Sequence, residues 1–528
     1  MSSLPNVNAT EYDAVVIGSG FGGTMAAREL VAAGWRVLML ERGGWVERGP
    51  QNWRADGAFT MTPHYAPDSA YRVLQGRRWA DQRLCTNVGG PSVFYGGASF
   101  RFRARDFDAA PEIVGGSGAA WPVDYAALEP FYTEAERLLA VAGAAGEDPT
   151  EPPRSAPYPH PPARLADASR RIADAARSLG LHPFRIPLAI AESACQACIT
   201  CDAFACAVSA KNDLATRVIP GLLADGMELR ADAVAVRLVA EGDRIAAVEC
   251  ADRRTGARTT VRAGTVVLAA GALATPHLLL ASGLERMNPG GRTVGRYLMR
   301  HCNAMTYGIF PRRPNPANEH HKQIAIHDFY WGDEAPGAPR GKLGNLQQVM
   351  TPPAGLLAHV LPRPVADALA PAVAHLTGLL SVAEDQPREQ NGVRIDPSSI
   401  DRLGLPKLLV EHHYTPRDLA ARRALIRRAK QVLRRSGAWG TVTWNVSTFS
   451  HAVGTVRMGA DERSSALDVD CRFRGMENLY VTDGSVFPTS AGVNPSLTIA
   501  ANALRVGRRI AGAGSGASAD VDARGVPA

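Results

Sequence analysis

Residues 13–41 read DAVVIGSGFGGTMAARELVAAGWRVLMLE, and this stretch decides the fold. An apolar run ends in a glycine-rich turn, a segment with helical spacing follows, and a second apolar run ends on Glu41. That order of strand, turn, helix and strand is one βαβ unit. Gly18, Gly20 and Gly23 stand in G-x-G-x-x-G spacing at the turn. Glycines there permit a tight bend and let a pyrophosphate approach the backbone at the helix N-terminus. Glu41 closes the second strand about 20 residues on, where a carboxylate can accept ribose hydroxyls. The spacing alone is weak, but in this context it predicts a dinucleotide site, without separating FAD from NAD.

The 528 residues exceed one simple core, so two or more packed units are expected. Hydrophobic content of 46% and charged content of 21% fit a globular protein. The net charge of +7 comes from dispersed arginines, and no basic run interleaved with aromatics suggests nucleic acid as a partner. The opening MSSLPNVNATEYDAVVIG has neither a charged n-region nor an apolar h-region, so cytoplasm is the expected compartment. No apolar run has the length of a membrane span, roughly 20 residues. The nearest, Val365 to Ala383, is broken by Pro371 and His375 and is expected to be a surface or lid helix.

Residues 227–271 alternate like an antiparallel hairpin layer that returns to a buried strand. Residues 416–437 carry helical spacing with a basic outer face, and the C-terminal part reads as strand, loop and long helix. The expected organisation is a cofactor domain from residues 1–146, 221–305 and 441–528. A proline-rich linker with a cysteine-rich loop occupies 147–220, and a substrate domain occupies 306–440.

Four further blocks bear on the cofactor. They are NVGGPSVFYGGASFRF (87–102), GALATPHLLLASGL (271–284), SHAVGTVRMG (450–459) and VTDGSVFPTSAGVNPSLTIAANAL (481–504). With these, the chain resembles the glucose–methanol–choline (GMC) family of FAD-dependent alcohol oxidoreductases over nearly its whole length. WPVDYAALEPFYTEAE (121–136) and VGRYLMRH, ending at His301, are similar to family segments as well. One departure is Glu285 after Ser282-Gly283-Leu284, where the family's second signature continues with glycine. The resemblance implies an α/β plus α+β architecture: a Rossmann-type FAD-binding domain of separated segments, with an inserted substrate domain containing an antiparallel sheet.

It also implies site residues. The FAD pyrophosphate would lie on Gly18, Gly20 and Gly23, with Glu41 on the adenosine ribose. Gly89, Gly90 and Ser92 would run along the flavin and diphosphate, Asp483 and Gly484 along the diphosphate–ribityl region, and Asn494 and Pro495 at the isoalloxazine edge. His451, one of 13 histidines, matches the family's catalytic histidine. A neutral imidazole suits proton removal from an alcohol whose hydride passes to flavin N5, a contribution of roughly 100- to 10,000-fold. Asn494 would hydrogen-bond the substrate oxygen. Phe94 stands where sugar-oxidising members carry a flavin-tethering histidine, so FAD is expected to be non-covalent. The motifs are most similar to the sugar- and polyol-oxidising branch. Rivals are an oxygen-using oxidase of a steroid, long-chain or secondary-metabolite alcohol, and a non-redox lyase of the same fold.

Residues 195–206, CQACITCDAFAC, hold Cys195, Cys198, Cys201 and Cys206. The spacing is one residue longer at its end than a ferredoxin run and lacks the final proline. From the residues alone, an iron–sulfur cluster, a zinc ion, two disulfides or packed thiols remain open. Membrane-associated sugar dehydrogenases of the family carry a cysteine-rich segment here, and the resemblance adds an iron–sulfur cluster as a candidate electron exit. The electron acceptor would then be an external redox carrier; without a cluster it would be oxygen. Cys85, Cys250, Cys302 and Cys471 read as core residues.

Overall fold

A computed structural model of the chain describes residues 11–53, 65–75, 78–198, 200–352, 354–359 and 361–514. The opening ten residues, read above for a leader, lie outside that set. Strand β1 (Glu11–Ile17), helix α1 (Phe21–Ala32) and strand β2 (Val37–Leu40) form the expected βαβ unit, with β1 and β2 parallel. Both strands bury Val, Ile, Leu and Met on either face, which is why they read as continuous apolar runs. Leu38–Leu40 also pair with Glu228–Arg230, and β1 pairs with Arg258–Leu268, both in parallel. Leu479–Val481 completes the parallel layer against residues 266–268. Segments distant in sequence thus assemble one doubly wound sheet.

The strand Arg258–Leu268 belongs to two layers. Its first half pairs antiparallel with Arg244–Asp252, which pairs with Ala233–Glu241, giving the expected hairpin layer. Against the face of the parallel sheet, α1 packs on the C-terminal helix Ser496–Gly514. A Cβ on Gly507 would come within 3.0 Å of the α1 backbone at Ala26, so the two helices meet closely there.

A second, antiparallel sheet runs Gly440–Asn445, Ala304–Ile309, Leu376–Ala383, Gly344–Val349, Ile324–Ile326 and Pro183–Arg185. The helix Pro416–Arg435 covers one face, burying Ala421, Leu425, Val432 and Leu433. Thr415 caps it by accepting from the Asp418 amide, with Pro416 in the first turn. A smaller sheet joins Gly392–Ile400, Pro406–Glu411, Tyr65–Gln75 and Arg78–Cys85.

Two expectations change. Residues 147–220 are more than a linker: they supply helix Asp167–Arg177 and the edge strand Pro183–Arg185. The run from Val365 divides, because only Arg363–Val373 is helix, with Val365 and Leu369 exposed. Leu376–Ala383 instead becomes a central strand, since its β-branched and leucine residues bury between two neighbours. Among the described residues no helix is long and apolar enough to cross a membrane.

Candidate active site

The glycine turn is built as its spacing requires. Gly18 has φ +104°, and a Cβ on it would overlap the Ala269 carbonyl. A Cβ on Gly23 would overlap the Gly18 carbonyl oxygen, so helix and strand can meet only through glycine. Gly20, by contrast, has open space on its Cβ side. The Gly89–Gly90 turn meets it from another side, since a Cβ on Gly90 would come 3.0 Å from the Gly20 Cα. The Glu41 carboxylate accepts from Ser19 N (3.1 Å), Ser19 Oγ (2.6 Å) and Gly43 N (2.9 Å). Burial pushes its pKa up despite these bonds. Ser19 Oγ in turn accepts from Gly89 N at 2.9 Å, tying the Gly89–Gly90 turn to the glycine loop.

Ser92 does not present its hydroxyl to this space. It donates to the Gly89 carbonyl (2.6 Å) and accepts from Leu214 N (3.1 Å), so it shapes the turn. Asp483 is buried and accepts from Gly271 N (2.9 Å), Thr275 Oγ1 (2.5 Å) and Ser485 N (2.7 Å). It locks Gly484 and the turn of residues 484–486 onto the end of the parallel sheet. The Pro495 carbonyl accepts from Ile499 N at 2.9 Å and so starts the C-terminal helix directly after Asn494.

His451 and Asn494 meet, with Asn494 Nδ2 3.3 Å from His451 Nε2. His301 lies behind them, its Nδ1 2.9 Å from His451 Nδ1. The other nitrogen of His301, Nε2, faces only carbonyl oxygens, those of Ser490 (3.1 Å) and Ala491 (3.0 Å). It must therefore be protonated and donate, which leaves Nδ1 of a neutral His301 as an acceptor. His451 then donates from Nδ1 and carries its lone pair on Nε2, toward Asn494. Burial pushes His451 down to about 3, with the His301 ring and the Lys322 ammonium acting the same way. Burial also lowers His301, against the pull of the Asp385 carboxylate. Both imidazoles are neutral near pH 7, as this assignment needs.

Neighbouring elements hold the set still. Gln347 Nε2, on the strand Gly344–Val349, donates to Asn494 Oδ1 at 2.7 Å and fixes which way the amide points. Asp385 accepts from Arg300 N (2.9 Å), His301 N (3.0 Å) and Ser490 Oγ (3.1 Å), and its carboxylate meets His412 Nε2 at 3.1 Å. This clamp holds His301 at φ +61°, a left-handed conformation uncommon outside glycine. Gly492 is gripped on both sides, its N–H by Tyr330 Oη (2.9 Å) and its carbonyl by Asn345 Nδ2 (2.5 Å). Sequence reasoning had marked His301 only as the end of a family segment and had missed Gln347 and Asp385. His301 lies 150 residues from His451, Gln347 147 from Asn494 and Asp385 84 from His301, and no local spacing encodes such contacts.

All eight cysteines are free thiols, and among the described residues no three His, Cys, Asp or Glu side chains gather as metal ligands. The iron–sulfur cluster expected on Cys195, Cys198, Cys201 and Cys206 therefore finds no support in the described side chains. Cys201 and Cys206 are buried, and Cys195 and Cys198 half-buried. Burial pushes the Cys201 thiol up to about 12. The loop is held instead by Lys211, fully buried, whose ammonium donates to the carbonyls of Tyr95 (2.8 Å), Cys201 (2.9 Å) and Phe204 (2.7 Å).

GMC oxidoreductase family models match residues 12–303 (N-terminal) and 387–503 (C-terminal). The chain belongs to the GMC oxidoreductase family. It is 32% identical to 6'''-hydroxyparomomycin C oxidase of Streptomyces lividus, over 95% of this chain and 91% of that protein. It is 28% identical to 2-methyl-1,2-propanediol dehydrogenase of Mycolicibacterium austroafricanum, over 95% of each. Pyridoxine 4-oxidase from Mesorbium loti shares the fold, with a TM-score of 0.68 at 20% identity, covering 94% of this chain and 98% of that one. This GMC oxidoreductase is an FAD-dependent alcohol oxidoreductase, and the open Gly20 side fits a pyrophosphate.

Proposed function

We propose that this GMC oxidoreductase oxidises a hydroxyl of a sugar, glycoside or polyol to a carbonyl, with FAD held without a covalent link. The convergence of His451 Nε2 and Asn494 Nδ2 at 3.3 Å carries the reading. Bound FAD would supply the hydride acceptor, resting on Gly18, Gly20, Gly23, Gly89 and Gly90, with Glu41 at the ribose. His451 takes the hydroxyl proton on Nε2, the nitrogen that His301 leaves unprotonated. Asn494, held by Gln347, orients the oxygen and cannot serve as a second base. Asp385 lies on the far side of His301, where its negative charge favours the imidazolium that forms.

Support for a hydroxyl-rich substrate comes from the relatives, whose names include an aminoglycoside oxidase and a diol dehydrogenase. Anaerobic addition of 2-methyl-1,2-propanediol, glucose or an amino sugar to the FAD-loaded protein tests the reading. Bleaching of the flavin with carbonyl product is expected, and a flavin left oxidised by all three sinks it. Readmitted air then separates the acceptors: rapid recolouring with peroxide marks oxygen, and slow recolouring marks an external carrier.

A further inference from the structure

The six-stranded antiparallel sheet has one covered face and one that meets the catalytic pair. Helix Pro416–Arg435 covers the face that carries Leu346 and Leu379. A Cβ on Gly308 would touch Leu433 of that helix. Residues alternate between the faces along each strand, so Gln347, Leu380, Met305 and Trp444 stand on the other face. They form one row, because Gln347 is the register partner of Leu380, Leu380 of Met305, and Met305 of Trp444. The row begins at the site, where Gln347 Nε2 donates to Asn494 Oδ1 at 2.7 Å. Three strand spacings then carry it ~14 Å to the sheet edge. Met305 and Leu380 lie on interior strands yet are only half-buried, as are His451 and Asn494, so this side of the sheet is not closed over. At the edge Trp444 keeps 49% of its surface exposed, and its ring meets Tyr307 edge to face at 5.7 Å. Tyr307 Oη also lies 3.7 Å from Met305 Sδ, so one residue braces both. None of these four strands holds a charged residue, and no Lys, Arg, Asp or Glu occurs between Arg435 and Arg457.

We propose that Leu380, Met305 and Trp444 form a subsite for an aromatic aglycone, with the Trp444 indole as its stacking partner. The proposal rests on the alcohol-oxidation reading and names its substrate class: aryl glycosides, oxidised on the sugar. The polar groups of the row lie at its inner end, where Asn494 and Gln347 meet a hydroxyl-bearing ring. Beyond them it offers isobutyl, thioether and indole surface, which gains from covering apolar area. A polar or ionic extension would lose water there without a charged partner in return. An aryl ring loses little and pairs with the indole in offset or edge geometry. The ~14 Å row has room for a sugar ring at the catalytic pair followed by an aryl ring at Trp444, and a bare monosaccharide stops short of the indole.

Anaerobic calorimetry on the FAD-loaded protein, reduced with dithionite so that no hydride can be accepted, tests recognition without turnover. Its probes are methyl and phenyl β-D-glucopyranoside, which differ only in the aglycone. The phenyl glucoside is expected to bind ~10-fold more tightly, as covering one aromatic ring implies. Trp444→Ala should bring the ratio toward one with flavin content unchanged, and Trp444→Phe should keep most of it. A structural role alone would weaken both glucosides equally. Equal or absent binding of the two by the parent overturns the proposal, as does a ratio that survives Trp444→Ala. Sedimentation tests the rival occupant of this edge, a second copy of the chain: a parent dimer that Trp444→Ala splits would also overturn it. If the phenyl preference holds while neither glucoside bleaches the oxidised flavin, alcohol oxidation fails and the subsite stands.

Discussion

The histidine cluster and the cysteine loop contrast in how their polar atoms are used. Around His451, side chains from four distant segments converge, and a chain of hydrogen bonds runs from the Ser490 carbonyl through His301 and His451 to Asn494 and Gln347. In the loop, four thiols fall within 12 residues of sequence and remain unjoined by disulfides. Closeness in sequence brings backbone together, but convergence of side chains needs partners that fix their direction. The loop's partner is Lys211, which binds carbonyls rather than thiols. Three charge-assisted bonds, roughly 1.5–3 kcal/mol each, offset the several kcal/mol needed to desolvate an ammonium.

Acid should expose both regions at once and gives the largest expected effect. Burial pushes His277 and His320 down to about 4 and His451 down to about 3. Neutral in the folded chain, they take up protons on unfolding once the pH falls below about 6.5. Each then withdraws on the order of 1.4 kcal/mol per pH unit until its folded value is reached. Denaturant midpoints should fall steadily from pH 6.5 to 4 with fixed slope, and a flat profile would remove burial as the cause.

Lys211→Met separates the regions. It leaves the Tyr95 and Phe204 carbonyls without a donor, removes the stronger of two donors to Cys201, and should lower stability by ~3 kcal/mol or more in urea titration. An unchanged midpoint would mean that the thiols or a bound group hold the loop instead. His301→Leu removes the acceptor behind His451 and should slow flavin reduction by about 100-fold with flavin still bound. His301→Gln, whose amide can donate to the carbonyls and accept from His451, should recover most of the rate. Equal loss in both would count against tautomer control. Cys198→Ser should change stability by only ~0.5 kcal/mol, since a half-buried thiol outside any ligand set carries little. A large loss of activity or of bound iron in that variant would restore the cluster.

What could be read from the chain follows the same division. The βαβ unit, its glycines and Glu41 lie within 30 residues, and their geometry is set by local sterics that spacing encodes. The hairpin layer and the helix of residues 416–435 announce themselves by period. His451 and Asn494 were legible only because their surrounding motifs resemble a family. The groups that orient them were not, because His301 reaches His451 across 150 residues, Gln347 reaches Asn494 across 147, and Asp385 clamps His301 from 84 residues away. The cysteine spacing suggested ligands because it records how close the residues are, whereas ligation depends on where each sulfur points.

The central claim is that His451, neutral with its lone pair on Nε2, removes the alcohol proton. Anaerobic rapid-mixing of His451→Ala with an alcohol that bleaches the parent flavin addresses it directly. A rate of flavin reduction lower by roughly 100- to 10,000-fold, with FAD content and unfolding midpoint unchanged, is the predicted result. Reduction at the parent rate would contradict the claim.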